Sequence, residues 1–329
     1  MRDKGRISGK NVFAIFVLFL AASGDADAWG MQGHRTIGAI ADRLLAGSHA
    51  ETQIRSLGLL KPGESLAKIS VWADCAKGFC GVLTQEMKDF VRANPNHHAY
   101  HYTDLPFQTL AYEDGAFGTD RDDVVQTLQQ CIAALQGHAD GPLNPHRFSQ
   151  RQGLLLLAHL VGDIHQPLHV GTAYIDRENR FAVPHSQQEI ENGGVFKTHG
   201  DNDLLLGSRP LHAYWDGQAV TYVMKRARAR SPAAFAAILI ARYPDPGTTA
   251  GPVVHWPRAW ATEILPIARR AHDGLTVEDP EEMEDRNGVR KVWPVTAPRD
   301  YSRTVSTLAA RQLQLAGYRL AAVLKEIWP

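Results

Sequence analysis

The segment over residues 152–164 constrains the fold of this chain more than any other. Gly153-Leu-Leu-Leu-Leu-Ala-His159-Leu-Val-Gly-Asp163 is apolar nearly all round, the pattern of a helix buried on every side, and Pro167 stops it. His159 and Asp163 stand four residues apart inside it and therefore share one face. A carboxylate enclosed by leucines is expensive without a partner, and a metal ion makes both residues tolerable there. The rest of the chain has to wrap this helix and bring partners to that pair.

The flanking sequence supplies helices for the wrapping. Apolar residues recur at helical spacing over 34–46 (Ile37, Ala41, Leu44, Leu45) and over 121–136 (Val124, Val125, Leu128, Ile132, Leu135, ending at Gly137). Further helical stretches are expected over about 212–228, 233–242, 256–272 and 302–327. No stretch sustains two-residue alternation, so few strands are expected. Without repeats, low-complexity runs or a visible boundary, the expectation is one all-α, mainly helical domain over 29–329. Two polar stretches interrupt it, 176–203 and 276–300. Both exceed the ~12–15 residues usual for a structureless loop. The first is expected to border the site, and the second reads as surface decoration.

The partners come from outside the central helix. His169 follows just after the proline break, and His212 with Asp216 repeats the four-residue spacing in Leu-His-Ala-Tyr-Trp-Asp. His34, Asp74 in Val-Trp-Ala-Asp and His101 in Tyr-His-Tyr complete eight His and Asp side chains. All are imidazole or carboxylate types suited to zinc. The absence of thiolates from the set argues against a zinc-finger role. His165, although inside the central motif, reads as support rather than ligand.

The N-terminus bears on compartment. Arg2, Lys4, Arg6 and Lys10 precede an apolar run from Val12 to Ala22, and Ala26-Asp27-Ala28 is a small-x-small cleavage signature. Residues 1–28 therefore read as a signal peptide for a secreted or periplasmic protein. The run is short of the ~20 residues that span a bilayer, so no membrane anchor is expected after cleavage. A cut after Ala28 exposes Trp29, and a cut after Ala26 competes with it. The remaining chain carries 31 Lys+Arg against 32 Asp+Glu. That balance argues against stable binding to duplex DNA, which needs a basic face. Of the three cysteines, Cys75 and Cys80 are close enough to close a small loop and Cys131 lies in an amphipathic run. Pairing of the first two is the favoured reading, with three free thiols as the alternative.

Read in order, Trp-Gly-x-x-Gly-His at 29–34, Trp-Ala-Asp at 72–74, His-Tyr at 101–102, His-x-x-x-Asp at 159–163, Gln-Pro-Leu-His at 166–169 and Leu-His-x-x-Trp-Asp at 211–216 resemble the S1/P1 nuclease family. Trp260-Ala-Thr-Glu263 and Gln314 to Leu320 add to the likeness. The resemblance implies a mainly helical fold of the S1/P1 nuclease and zinc phospholipase C type. It implies a monomeric zinc enzyme that hydrolyses single-stranded DNA and RNA to 5′-phosphorylated products and acts as a 3′-nucleotidase, through a hydroxide shared between zincs.

Carried over residue by residue, it implies three zincs. Asp74, His101, His159 and Asp163 would hold one, and His169, His212 and Asp216 a second. The amine and carbonyl of Trp29, His34 and a bridging Asp163 would hold the third. Asp74, Lys77 and Asp163 would be catalytic, and Tyr102 and Asp104 would hold a nucleobase. The chain departs from the family pattern at Gly193-Gly194-Val195, where the family carries Gly-Gly-Asn; either Asn192 or Asn202 substitutes, or phosphate handling has changed. Alternatives are a zinc phospholipase C-like phosphodiesterase, which typically carries Glu where Asp216 stands, and a non-catalytic zinc-binding protein of the cell envelope.

Overall fold

The computed structural model describes residues 29–285 and 288–329. The expected signal segment lies outside them. Among the described residues, eight helices reach eight residues or more: α1 (Gly30–Leu45), α2 (His49–Ser56), α3 (Gln85–Ala93), α4 (Val124–Leu135), α5 (Gln150–Asp163), α6 (Pro232–Arg242), α7 (Trp256–His272) and α8 (Tyr301–Ile327). None is long and apolar enough to cross a membrane.

Five of these helices start on a side-chain cap. Ser48, Thr84, Asp123 and Ser231 accept orphan N–H groups at the heads of α2, α3, α4 and α6. Ser149 and Gln152 form a reciprocal capping box at the head of α5. From Gly153 to Asp163 every residue of α5 is buried, as the all-round apolar pattern requires. The helices α1, α4 and α8 enclose it in one continuous apolar core.

Arg151, at the head of α5, ties that helix to the rest. Its guanidinium donates to Glu86 of α3 (2.6 Å), to Glu64 (2.9 and 3.0 Å) and to the Leu59 carbonyl (2.6 Å). Burial pushes both carboxyls up, but Arg151 outweighs it, and both end below the usual value of 4.5. A lowered carboxyl pKa stabilises fully above the unfolded value and loses its effect as pH falls through the folded one. Arg151→Ala is therefore expected to cost about 1–3 kcal/mol at neutral pH, with the gap closing below about pH 4. Thermal denaturation against pH measures it, and a gap that stays constant into acid discards the reading.

Short strands complete the fold. The parallel pair β1 (Leu105–Pro106) and β2 (Gly171–Thr172) ties the segment after His101 to the segment after His169. The pair β3 (Tyr174–Asp176) and β4 (Val195–Lys197) is antiparallel, with Tyr174 opposite Lys197. A third sheet runs β6-β5-β9-β7, from β5 (Leu204–Leu206), β6 (Arg209–Pro210), β7 (Thr276–Val277) and β9 (Gly288–Thr296), and β8 (Glu281–Asp285) pairs with β9.

This sheet corrects the reading of 276–300 as decoration. Strand β9 buries Val292, Trp293 and Val295, and the Trp293 N–H donates to the Asp203 carbonyl at 2.7 Å. The hairpin thus braces the end of the 176–203 segment. Cys75 and Cys80 form a disulfide, and Cys131 is buried and free.

Candidate metal centre

All eight His and Asp side chains singled out in the sequence are buried, each 5% exposed or less. Two sit at the C-terminal end of α5, and the others arrive from separate elements. His34 comes from α1, Asp74 from the short helix Trp72–Ala76, and His101 from the 3-10 turn Ala99–His101. His169 comes from the 3-10 turn Pro167–His169 that follows the proline break. His212 and Asp216 span the junction between the helical turn Leu211–Ala213 and a π-helical turn, Tyr214–Ala219, of a kind frequent at functional sites.

Among the described residues their ligand atoms gather into three groups: Asp74, His101 and His159; His34, His159 and Asp163; His169, His212 and Asp216. Asp163 links the first two. Its Oδ2 lies 2.9 Å from His101 Nδ1 and 3.2 Å from His159 Nε2, while its Oδ1 lies 3.3 Å from His34 Nε2. His159 Nε2 is also 3.2 Å from His101 Nδ1 and 3.5 Å from Asp74 Oδ1, and His101 Nδ1 is 3.8 Å from that same oxygen. Four ligands held tetrahedrally on zinc at about 2.0–2.2 Å lie about 3.3–3.6 Å apart. Five of the six edges of the Asp74, His101, His159 and Asp163 set lie at or near that spacing. In the third group, His169 Nε2 and His212 Nε2 are 3.0 Å apart, and His212 Nε2 is 3.3 Å from Asp216 Oδ2.

Backbone carbonyls fix the far nitrogens of three rings. His159 Nδ1 bonds to Ser70 O (2.7 Å), His169 Nδ1 to His101 O (2.7 Å) and His212 Nδ1 to Gly200 O (2.5 Å). Each carbonyl holds the proton on Nδ1 and leaves the Nε2 lone pair aimed at the cluster. Gly200 is held in place by its neighbours: Asp201 accepts from Thr198 and from the Ala173 N–H and pairs with His272 at 2.7 Å. Asp216 Oδ1 accepts from Gln166 Nε2 (2.8 Å) and from the Trp29 N–H (3.1 Å), which leaves Oδ2 facing His212.

The donor set fits a cation. His34 Nδ1 and Nε2, Asp163 Oδ1 and Asp216 Oδ2 are fully buried and make no hydrogen bond, an arrangement that is costly unless something else meets them. Burial holds His34 and His212 below the usual imidazole value; burial, with neighbouring positive groups, lowers His101 to about 4 and His169 to about 3. All four rings are thus neutral at pH 7, the form that binds metal. His159 differs. Burial lowers it, but Asp163 and Asp74 outweigh burial and raise it to about 10. The carboxylates that draw a proton onto His159 would draw a divalent cation in its place. Burial also pushes Asp216 well above the carboxylate range, so a nearby cation would be needed to keep it ionised.

Trp29 is completely buried. Its indole N–H donates to Gly162 O at 2.9 Å, one residue before Asp163, and its backbone nitrogen meets Asp216. The hydrogen bond of that nitrogen therefore goes to the third group, beside rather than within the set expected with His34. The Trp29 carbonyl accepts from Gly33 N at 3.1 Å. A side chain at Gly33 would place a Cβ 2.7 Å from the Cβ of Trp29, which accounts for the second glycine of Trp-Gly-x-x-Gly-His.

Gly162 is under a similar constraint, since a Cβ there would lie 2.8 Å from His34 Nδ1. The His34 ring, stacked 3.9 Å from His159, has little room to retreat. Gly162→Ala gains about 1 kcal/mol of helix propensity but is expected to lose about 1–3 kcal/mol to overpacking and to loosen metal at His34. Thermal denaturation and metal content check this, and an unchanged melting temperature with full metal would refute it.

At the rim, Lys77 Nζ lies 3.0 Å from Asp74 Oδ1 and 5.0 Å from the Phe79 ring centroid. Tyr102, directly after His101, is 40% exposed. Asp104 Oδ2 is held by Lys197 of β4 at 2.7 Å, a partner that sequence reasoning missed. The 176–203 stretch does border the site, but it delivers Lys197 and the Gly200 carbonyl. Val195 is buried in β4. Asn192 Oδ1 accepts from Gln188 and Asn202 Nδ2 donates to His199 O, so neither hydrogen-bonds to a cluster residue. His165 also faces away. Its Nδ1 bonds to Val161 O and its Nε2 lies 3.0 Å from Arg319, which pairs with Glu263. The 260–263 and 314–320 motifs thus converge on a brace behind the centre.

A family model described as S1/P1 Nuclease matches residues 29–329, all of the described chain. The chain belongs to the S1/P1 nuclease family. The family is zinc-dependent, in keeping with the His and Asp groups here. A curated relative, Endonuclease 1 of Arabidopsis thaliana, is 26% identical over 176 residues, covering 52% of this chain and 53% of that protein. The chain thus matches about half the length of that relative.

Proposed function

We propose that the protein is an exported, monomeric, zinc-dependent endonuclease that cleaves single-stranded DNA and RNA to 5′-phosphorylated products and removes 3′-phosphates from nucleotides. The observation that carries the reading is Asp163, whose Oδ2 lies 2.9 Å from His101 Nδ1 and whose Oδ1 lies 3.3 Å from His34 Nε2, so that one buried carboxylate faces two groups of candidate ligands. In this reading Asp74, His101, His159 and Asp163 hold one zinc and His169, His212 and Asp216 a second. His34, Asp163 and the amine and carbonyl of Trp29 hold the third. Bound there, zinc supplies charge neutralisation for a phosphoryl group and lowers the pKa of a water towards ~7.

The chain's own residues do the rest. Asp74 presents a carboxylate that can orient the attacking water, while Lys77 beside it offsets charge that grows on the phosphoryl oxygens. Tyr102 offers an exposed ring on which an unpaired base can stack, worth ~1–3 kcal/mol and indifferent to base identity. A base inside a duplex cannot reach such a platform, which gives the preference for single strands. Asp104 and Lys197 together present an acceptor and a donor beside that ring.

Incubation of the chain beginning at Trp29 with single-stranded DNA, RNA, 3′-AMP and phosphatidylcholine, with and without chelator, tests the reading. Chelator-sensitive release from the nucleic acids and from 3′-AMP is expected. Turnover of the lipid alone would replace the nuclease with a phospholipase, and no turnover at all would leave a zinc-binding protein.

A further inference from the structure

A cavity of about 440 Å³ opens between α7, the end of α6 and the first half of α8, lined by Tyr243, Arg270, Arg303, Thr304, Thr307 and Arg311 among others. Its charge is largely uncompensated. Arg270 has no ion-pair or hydrogen-bond partner among the described residues. Arg311 donates to Gln314 and stacks over Tyr243, 5.4 Å from the ring centroid. Among the described residues that line the pocket, only Arg303 is ion-paired, to an exposed Asp300 at 3.4 Å. Arg242 adds a fourth guanidinium, 5.6 Å from the centroid of the same tyrosine. Because acids and bases nearly balance over residues 29–329, this cluster is not a by-product of a basic protein.

The pocket is separate from the metal centre. Arg303, Thr307 and Arg311 recur every four residues along one side of α8. Leu313, which comes up against the Trp29–Gly33 turn, is two residues on from Arg311 and so lies about 160° round the helix from it. None of the residues lining the pocket is among the eight His and Asp side chains of the metal centre.

We infer that this pocket is a second, non-catalytic site for a phosphate group carried by a nucleotide. Guanidinium forks match phosphate oxygens in pairs, Thr304 adds a hydroxyl donor while that of Thr307 is given to the Arg303 carbonyl (2.9 Å), and Tyr243 offers a ring beside them for a base. The phosphate belongs either to a distant part of the strand being cut, which rests on the nuclease reading, or to a free mononucleotide.

Arg270→Ala and Arg270→Glu test this with little risk to folding, because the residue is exposed and unpaired. Holoenzyme is compared on polymeric single-stranded DNA and on a dinucleotide, and by calorimetry with 5′-AMP and inorganic phosphate. If the site grips the strand, KM for the polymer rises about tenfold and its salt dependence weakens, while dinucleotide kinetics hold. If it takes free nucleotide, one equivalent of 5′-AMP binding is lost and polymer KM holds. Unchanged polymer kinetics together with unchanged 5′-AMP and phosphate binding in both variants would overturn the inference. Should wild-type protein cleave nothing, the nuclease reading fails separately, and the calorimetry alone decides this site.

Discussion

A form of the protein that retains even Ala28 ahead of Trp29 is expected to lose activity by a factor on the order of 10²–10³, about 3–4 kcal/mol of barrier, and to bind less zinc. A nitrogen inside a peptide bond has no free lone pair, whereas a terminal amine has one. In the structure this nitrogen is buried 3.1 Å from Asp216, and the tryptophan cannot drift away because its indole is anchored to Gly162 and fully enclosed. Trp29 also has a φ of 49°. That left-handed setting costs a non-glycine residue about 1–2 kcal/mol. The cost belongs to φ, a dihedral that a chain starting at Trp29 does not have. Cleavage would thus free a ligand and relieve strain at one atom, coupling export to activation.

The comparison needs three preparations: the chain from Trp29, the chain from Ala28, and the chain from Trp29 with its amine acetylated. Metal content and kcat/KM for single-stranded DNA are read on each. Acetylation adds no residue but removes the lone pair, so the last two should fail together. Full metal and full activity in both would end the role of the amine and leave the eight side chains standing.

The parts of this site visible in the sequence are those that rest on spacing within a helix. His159 and Asp163, and His212 and Asp216, were legible because four residues make about one turn, and α5 was legible because a helix apolar all round has to be buried. Even there the second pair held a surprise. A π-helical turn carries Asp216, and side-chain periodicity does not report a single wide turn.

What stayed hidden depends on the backbone or on distant pairing. The carbonyls of Ser70, His101 and Gly200 that orient three imidazoles carry no side-chain signature, although every residue has such an acceptor. Lys197 reaches Asp104 across 93 residues, because β4 lies against β3 and Tyr174 of β3 donates to the Asp104 carbonyl. The 276–300 segment read as decoration because β9 is polar at its start and buries only Val292, Trp293 and Val295 among its later residues. A strand that pairs in parallel with β5, more than 80 residues earlier, leaves no local trace. The same limit applied to Asn192 and Asn202: proximity in sequence to the glycine pair offered them as substitutes, yet their hydrogen bonds run to the surface loop itself.

Asp163→Asn should damage the protein more than any other single ligand change. The side chain is completely buried and serves two groups at once, with Oδ2 towards His101 and His159 and Oδ1 towards His34. Asparagine keeps the shape, but one of its two positions becomes an NH₂. Whichever way the amide turns, one group gains a donor where it needs an acceptor, and both lose a negative charge. The His159 environment shows the scale of that charge: Asp163 and Asp74 together overcome full burial and lift the ring to about 10. Asp216→Asn, by contrast, alters only the His169 and His212 group and the contacts to Gln166 and Trp29. The expected order is therefore a loss of kcat/KM on the order of 10³ or more for Asp163→Asn, about 4 kcal/mol, with metal depleted from two groups. For Asp216→Asn the loss is smaller and metal leaves one group. Elemental analysis beside kinetics separates the two. Equal metal loss in both variants would mean that Asp163 does not bridge, and the two-sided geometry of its carboxylate would then be packing alone.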